Sequence, residues 1–460
     1  MVLPARIAYW AAREPDRPFL IEVGGRSATY GAFHRELLAW SQALRDAGVE
    51  PGDRIGSLLP PSVDAHLLWM AASCIGAVEV PIDPDLRGDF LDHVVADARL
   101  KWCVAPPGHA VPEGPTRISP NADAEPVPLD RYPHPQDPSC ILYTSGTTGP
   151  AKGVIVPWGQ IAATIGRIPR EWLTANDAVY APWPMFHVTG RSPLASMADV
   201  GGRVVLREHL SIREFWSDIT VHGCTSTTIG AVAPLLLDAA APQSHPLRWA
   251  FMAPRGDVSV AVQERFGVRV IGNYGSTEAG FPIVNRRMDR STAHLAGWLR
   301  PGYAARVADD GELWVRPPAP EVMFAGYVGG PAAGEWYATG DVMRRHDDGS
   351  FEFVDRRRDT IRRFGENISA TAVEAIVITE QDVVECAVVG MASAVTGQEV
   401  LLVVVGDVDP ANLYERLVPR LPPHALPAVI GVRAHLPKTP TGKVRKQLVE
   451  MADDDWRAPN

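Results

Sequence analysis

A chain of 460 residues with 46% hydrophobic and 21% charged side chains can bury a large core, and it is long enough for more than one domain. Its net charge of −10 supplies no basic face for nucleic acid. The longest apolar run, residues 67–78, stops at Glu79 and is too short to span a bilayer, so no membrane partner is expected. The first residues carry charges where the apolar core of a signal peptide would sit. Five scattered cysteines without metal or redox spacing fit a reduced cytoplasm, and the thirteen histidines form no zinc-spaced cluster.

The first 355 or so residues alternate helical and extended signals, the pattern of α/β sheets wrapped by helices. Residues 31–47 read as a helix, with Leu37, Leu38 and Leu44 toward one side and Gly48 as its stop. Residues 54–59 read as a strand ended by Pro60 and Pro61, 62–77 as a buried helix and 102–105 as a strand. Ten prolines between Pro106 and Pro138 mark a surface connection. The apolar run from Ile141 reads as a strand feeding a loop of Ser, Thr and Gly, with a helix expected beyond. Ser211 and Glu214 form a capping box for a helix over 211–222. Then 224–228 reads as strand, 232–240 as helix and 268–271 as strand. After the charged run VDRRRDTIRR at 354–363 the pattern becomes α+β: helix 372–379, strands 383–389 and 400–405, helix 410–419. The expected division is a large domain over 1–357 and a small one over 358–460.

Of the 44 basic residues only Lys101, Lys152, Lys438, Lys443 and Lys446 are lysines. Where arginine serves the surface, a lysine marks a place where a compact ammonium matters. Lys152 closes ILYTSGTTGPAKGV, residues 141–154. Glycines let backbone amides turn inward, hydroxyls donate further hydrogen bonds and the lysine adds charge, which suits a phosphate. It is not a Walker loop, because Lys152 follows Ala151 rather than a glycine.

TSGTTGPAKGV resembles the phosphate loop of the adenylate-forming superfamily of acyl-CoA synthetases, adenylation domains and beetle luciferases. Five further segments resemble that superfamily's motifs in the same order: PMFHVTG at 184–190, NYGSTEAG at 273–280, WYATGD at 336–341, DRRRDTIRRFGENIS at 355–369 and PKTPTGKVRK at 437–446. FGENIS, with REFW and HGCT upstream, is most similar to the carnitine- and crotonobetaine-type CoA ligases.

The resemblance implies a large domain of helix-wrapped sheets, a small mobile α+β domain and a two-step reaction. A carboxylate attacks the α-phosphate of ATP to give acyl-AMP and pyrophosphate, and a thiol, usually coenzyme A, then displaces AMP. It implies that Thr144, Ser145, Gly146, Thr147, Thr148, Gly149 and Lys152 cradle the β- and γ-phosphates. Thr277 is implied at the α-phosphate, and Glu278 with Thr148 at Mg²⁺, a hard cation that takes carboxylate oxygen. Tyr274 is implied against adenine, Asn273, Gly275 and Ser276 among the nucleotide-binding residues, and Asp341 and Arg356 at the ribose. Lys443 is the implied catalytic lysine, with its ammonium between carboxylate and α-phosphate. Arg358 stands at the implied hinge, so that Lys443 serves the first step and the 362–369 loop the second.

The acid pocket is implied around His187, Arg191, Met252, Ala253 and Gly275. Most relatives carry Gly-Gly-Ala-Pro where this chain has Phe251, Met252, Ala253 and Pro254, and a methionine there narrows the pocket toward a small or flat acid. Arg191 and Arg255 are expected either to meet a polar or anionic substrate group or to be solvated or hold a structural carboxylate. Coenzyme A is the expected acceptor; a carrier-protein thiol or an amine is the alternative, as is an unusual acid such as nitrite.

Overall fold

The computed structural model describes every residue except 85, 87, 121, 122, 145–150, 254, 255, 357–359, 364, 365, 394, 395, 422, 440, 441, 459 and 460. By internal contacts the chain forms one unit from Met1–Ala304 with Val315–Tyr337, and another from Ala305–Trp314 with Ala338–Asn460.

Two sheets organise the first unit. One runs in the order Leu295–Leu299, Gly280–Asn285, Arg269–Ser276, Trp249–Met252, Ser226–Thr228, Ala178–Ala181, Arg203–Leu206, Pro18–Glu22, Ser27–Thr29. Its middle is parallel, and the Ala178–Ala181 and Trp249–Met252 strands are buried throughout, as a sheet covered on both faces requires. The other sheet runs Gly326–Tyr327, Lys152–Pro157, Pro138–Thr144, Val78–Pro81, Arg54–Ser57, Trp102–Val104, Thr116–Arg117. Helix Val63–Cys74 is apolar nearly all round and packs against strands of both sheets. Its first turn is fixed by Ser62, whose hydroxyl accepts the Ala65 N–H. Trp69 of this helix stacks on Trp158 with ring centroids 4.9 Å apart.

The helix expected directly after the Ser/Thr/Gly loop is instead the strand Lys152–Pro157, antiparallel to Pro138–Thr144 with Thr144 opposite Lys152. Val154, Ile155 and Val156 are β-branched and pack well on a pleated surface, so the chain turns back as a hairpin and becomes helical only at Trp158–Ala163. The strand read as 268–271 runs on to Ser276, because Asn273 and Tyr274 pair with Val284 and Ile283. Ser211 does accept the Glu214 N–H, but regular helix begins only at Phe215. Among the described residues no helix is long and apolar enough to cross a membrane.

The second unit holds a hairpin in which Tyr337–Arg345 pairs with Ser350–Arg356, and an α+β body. In that body Val383–Ser393 and Gly397–Gly406 form a long hairpin, and Val429–Val432 adds in parallel to the second strand. Helices Ala370–Val377 and Pro410–Leu417 are capped by Ser369 and Asp409, which accept the N–H groups of Ala372 and Asn412. Val373, Val377, Leu413 and Leu417 bury themselves against Val400, Leu402 and Val404.

Candidate active site

The hairpin from Arg269–Ser276 into Gly280–Asn285 presents NYGSTEAG at a sharp turn. A Cβ on Gly275 would lie 1.8 Å from the Gly280 carbonyl oxygen, so only glycine permits this approach. The Ser276 hydroxyl accepts the Ala279 N–H at 3.1 Å, and Gln160 Nε2 donates to the Thr277 carbonyl at 2.7 Å. Glu278 is tied on both sides: its carbonyl accepts the Phe324 N–H at 2.9 Å, and its Oε1 accepts the Tyr327 hydroxyl at 3.2 Å. Tyr327 pairs in register with Val154, and Lys152 Nζ lies 5.4 Å from the Tyr327 ring centroid. The lysine of the phosphate-loop motif and the glutamate of NYGSTEAG are thus brought to one tyrosine. Burial and the Glu278 charge push the Tyr327 phenol up to about 12, so it stays a neutral donor to the carboxylate. Glu278 makes no ion pair among the described residues. Thr144 ends its strand opposite Lys152, and His93 Nε2 lies 2.7 Å from the Ala151 carbonyl oxygen. Ser145, Gly146, Thr147, Thr148 and Gly149 lie outside the described residues.

Asn273 carries a buried side-chain oxygen with no hydrogen-bond partner among the described residues, an acceptor available for a ligand N–H. Met252 is buried at the end of its strand, opposite Gly272, while Ala253 is exposed. His187 stands at the N-cap position of helix Val188–Val200 with no capping hydrogen bond from its side chain, and its backbone N–H donates to the Pro184 carbonyl at 3.2 Å.

Arg191 is the correction. Its side chain is 0% exposed, with Nη2 2.8 Å from Glu79 Oε2, itself 0% exposed. Nε donates to the Met185 carbonyl at 2.7 Å, and the guanidinium lies 4.7 Å from the Trp69 ring centroid. It holds a structural carboxylate and has no surface to offer a substrate. Arg255 lies outside the described residues.

The sequence reading passed over Arg167, one arginine among 39 with no motif beside it. It is 4% exposed, and its guanidinium sits 4.7 Å from the Phe251 ring centroid and 4.4 Å from that of Phe281. Nε donates to the Thr164 carbonyl at 3.0 Å and Nη2 to Ser192 Oγ at 3.3 Å.

In the second unit Asp341 is buried and stands opposite Arg356 in the hairpin, with its N–H donated to Thr339 Oγ1 at 3.2 Å. Gly340 takes φ +71° and donates its N–H to Glu312 at 3.0 Å, which fixes the turn of the WYATGD segment. Lys443 is exposed in a loop closed by the Thr439 N–H donating to the Lys443 carbonyl at 2.7 Å and the Lys443 N–H donating to Thr439 Oγ1 at 3.1 Å. The flanking lysines are committed to carboxylates, Lys438 to Glu385 and Lys446 to Glu374, the latter at 2.8 Å. Arg358 lies outside the described residues, where no hinge geometry is described. Among the described residues no three His, Cys, Asp or Glu side chains gather as a metal cluster.

Comparison with known proteins finds relatives along nearly the whole chain. The chain is 29% identical to the sulfoacetate–CoA ligase of Cupriavidus necator, with 96% of each chain covered. It is 25% identical to the oxalate–CoA ligase of Arabidopsis thaliana, over 95% of this chain and 96% of that one. Its fold matches ATP-bound MatB from Rhodopseudomonas palustris with a TM-score of 0.87 at 22% identity, covering 97% of this chain and 98% of that one. It matches the o-succinylbenzoate CoA synthetase MenE of Bacillus subtilis, in complex with an acyl-adenylate, at 0.88 and 21% identity, with the same coverage. The AMP-binding enzyme family matches residues 7–328 and its C-terminal domain matches 372–443, so the chain belongs to the family of AMP-binding enzymes.

Proposed function

We propose that the protein is an AMP-forming ligase that activates a small carboxylic acid with ATP and transfers the acyl group to coenzyme A. The observation that carries this is the convergence of Lys152 and Glu278 on Tyr327 beside the NYGSTEAG turn. The first step brings two anions together, so positive charge and orientation dominate it. A carboxylate oxygen bonds to the α-phosphorus, the bond to the bridging oxygen breaks and pyrophosphate leaves.

Lys152 and Thr144, with 145–149, hold the outer phosphates, and Thr277, whose carbonyl is anchored by Gln160, faces the α-phosphate. Glu278, a carboxylate without an ion-pair partner among the described residues, fits Mg²⁺, which supplies charge to the phosphates when bound. Tyr274 takes the adenine, and Asn273, Gly275 and Ser276 bind the nucleotide beside it, with the Asn273 oxygen, unpartnered among the described residues, suited to an exocyclic amine. Asp341 and Arg356 take the ribose, and the exposed Lys443 supplies the ammonium of the first step. His187, Met252, Ala253 and Gly275 border the acid, and the buried Met252 side chain supports a small one. In the second step the coenzyme A sulfur bonds to the acyl carbon, AMP leaves with the electron pair, and the thiol proton passes to solvent. Arg358 is the proposed pivot between the steps, with functional domains 1–357 and 358–460.

The CoA-ligase relatives favour coenzyme A over a carrier protein or an amine as acceptor. Five cysteines, all free, support a reducing cytoplasm. The test is incubation with Mg·ATP and a pool of small carboxylic acids plus nitrite, with and without coenzyme A, read by mass spectrometry. AMP with a new coenzyme A thioester is the expected result. AMP and pyrophosphate without a thioester would move the acceptor elsewhere, and ATP left intact by every acid would overturn the proposal.

A further inference from the structure

Arg167 has no part in the steps above, yet it stands where their elements meet. It ends the segment that begins with helix Trp158–Ala163, and Gln160 of that helix holds the Thr277 carbonyl. Phe251, whose ring lies beside its guanidinium, immediately precedes Met252, and Phe281, whose ring also lies beside it, is three residues past Glu278. Ser192, which accepts from Nη2, lies on the helix that begins directly after His187. Nη1 has no hydrogen-bond partner among the described residues and is not among the atoms sealed from solvent.

The charge balance is one-sided. No carboxylate among the described residues pairs with Arg167, and its neighbours add positive charge. Arg286 Nε donates to the Arg167 carbonyl at 3.0 Å, and Arg300 Nη1 donates to the Phe281 carbonyl at 3.0 Å. Burial and the Arg300 charge lower the Arg167 pKa to about 9. A buried cation without a counter-ion is costly, and two aromatic faces offset only part of that cost. A planar guanidinium held at two nitrogens, with the third open, is matched to an incoming carboxylate or sulfonate oxygen.

We infer that Arg167 reads a second anionic group on the acid, so that the substrate class is a short dianionic acid, a dicarboxylate or a sulfocarboxylate. This rests on the adenylation reading for the fate of the first carboxylate, but the anion contact itself is a binding property and is tested as one. Succinate and malonate, with butyrate and propionate as monoanionic counterparts, are titrated by calorimetry onto the protein saturated with a non-hydrolysable ATP analogue. At least one dianion is expected to bind the native protein ten-fold or more tighter than its counterpart. Arg167→Met should erase that preference while leaving the affinity for the ATP analogue and the melting temperature in place. Arg167→Lys keeps a charge but loses the fork, and should weaken dianion binding about ten-fold. Equal binding of dianions and monoanions by the native protein, or a preference that survives Arg167→Met or is untouched by Arg167→Lys, would overturn the inference. Dianion binding without pyrophosphate release on ATP would keep the Arg167 contact and overturn the adenylation reading. Pyrophosphate release with monoanions, and no dianion preference, would do the reverse.

Discussion

Among the described residues of the first unit two arginines are buried, and they are buried for different reasons. Arg191 is 0% exposed and faces Glu79 at 2.8 Å, with Trp69 and His66 packed around it; its charge is cancelled inside the protein. Arg167 lies against the rings of Phe251 and Phe281 with no such carboxylate among the described residues. A neutralised guanidinium is part of the core, whereas one left positive beside a candidate acid pocket is provision for a ligand.

The difference is broken most directly at Glu79. Glu79→Gln leaves Arg191 buried without its counter-ion and should cost about 3–5 kcal/mol of stability, read by urea unfolding. Adding Arg191→Met to that variant should recover much of the loss, while Arg167→Met alone should leave unfolding nearly unchanged. The ligand side answers in rate instead. Lys443→Ala, an exposed position, should slow adenylation by roughly 10²–10³ with no change in unfolding. Acyl-AMP formation at the native rate would remove Lys443 from the reaction.

Protonation sharpens the core half of the comparison. Burial, together with the neighbouring Arg191 charge, lowers the His66 pKa from 6.5 to about 4. The folded state therefore takes up the His66 proton less readily than the unfolded chain. Its contribution is present above pH 6.5 and is lost as pH falls toward about 4, a change on the order of 3 kcal/mol. The unfolding free energy of His66→Gln should be flatter across that window, and parallel pH curves would count against the assignment. The smallest effect is on the ligand side. Phe281→Leu removes one aromatic face from Arg167 and should shift dianion affinity by about 1 kcal/mol, seen as a several-fold rise in KM with kcat kept.

The contrast also shows what the sequence makes legible. The six motifs lie in order along the chain, and each is local: a glycine at 275, forced by the Gly280 carbonyl, is readable from NYGSTEAG alone. Arg191 sits directly after HVTG, a place that leaves both a substrate contact and a structural carboxylate open, and only the fold, which sets it against Glu79, decides for the carboxylate, because sequence adjacency does not report the direction of a side chain on a helix. Arg167 gathers Phe251, Phe281 and Ser192, residues far apart in the chain and adjacent only after the parallel strands and their helices pack. The helix expected after the phosphate loop failed for a local reason, the β-branched run 154–156, which outweighed the strand–loop–helix analogy. The extension of the 268–271 strand to Ser276 depended on a partner strand, Gly280–Asn285, that pattern reading did not register.

The central claim is that this site makes an acyl-adenylate. The direct measurement is acid-dependent exchange of labelled pyrophosphate into ATP, with Mg²⁺ and without coenzyme A, on succinate against butyrate. The account predicts exchange that requires the acid, is faster with succinate and collapses in Lys443→Ala. Exchange that is absent with every acid while the protein still binds ATP would contradict it.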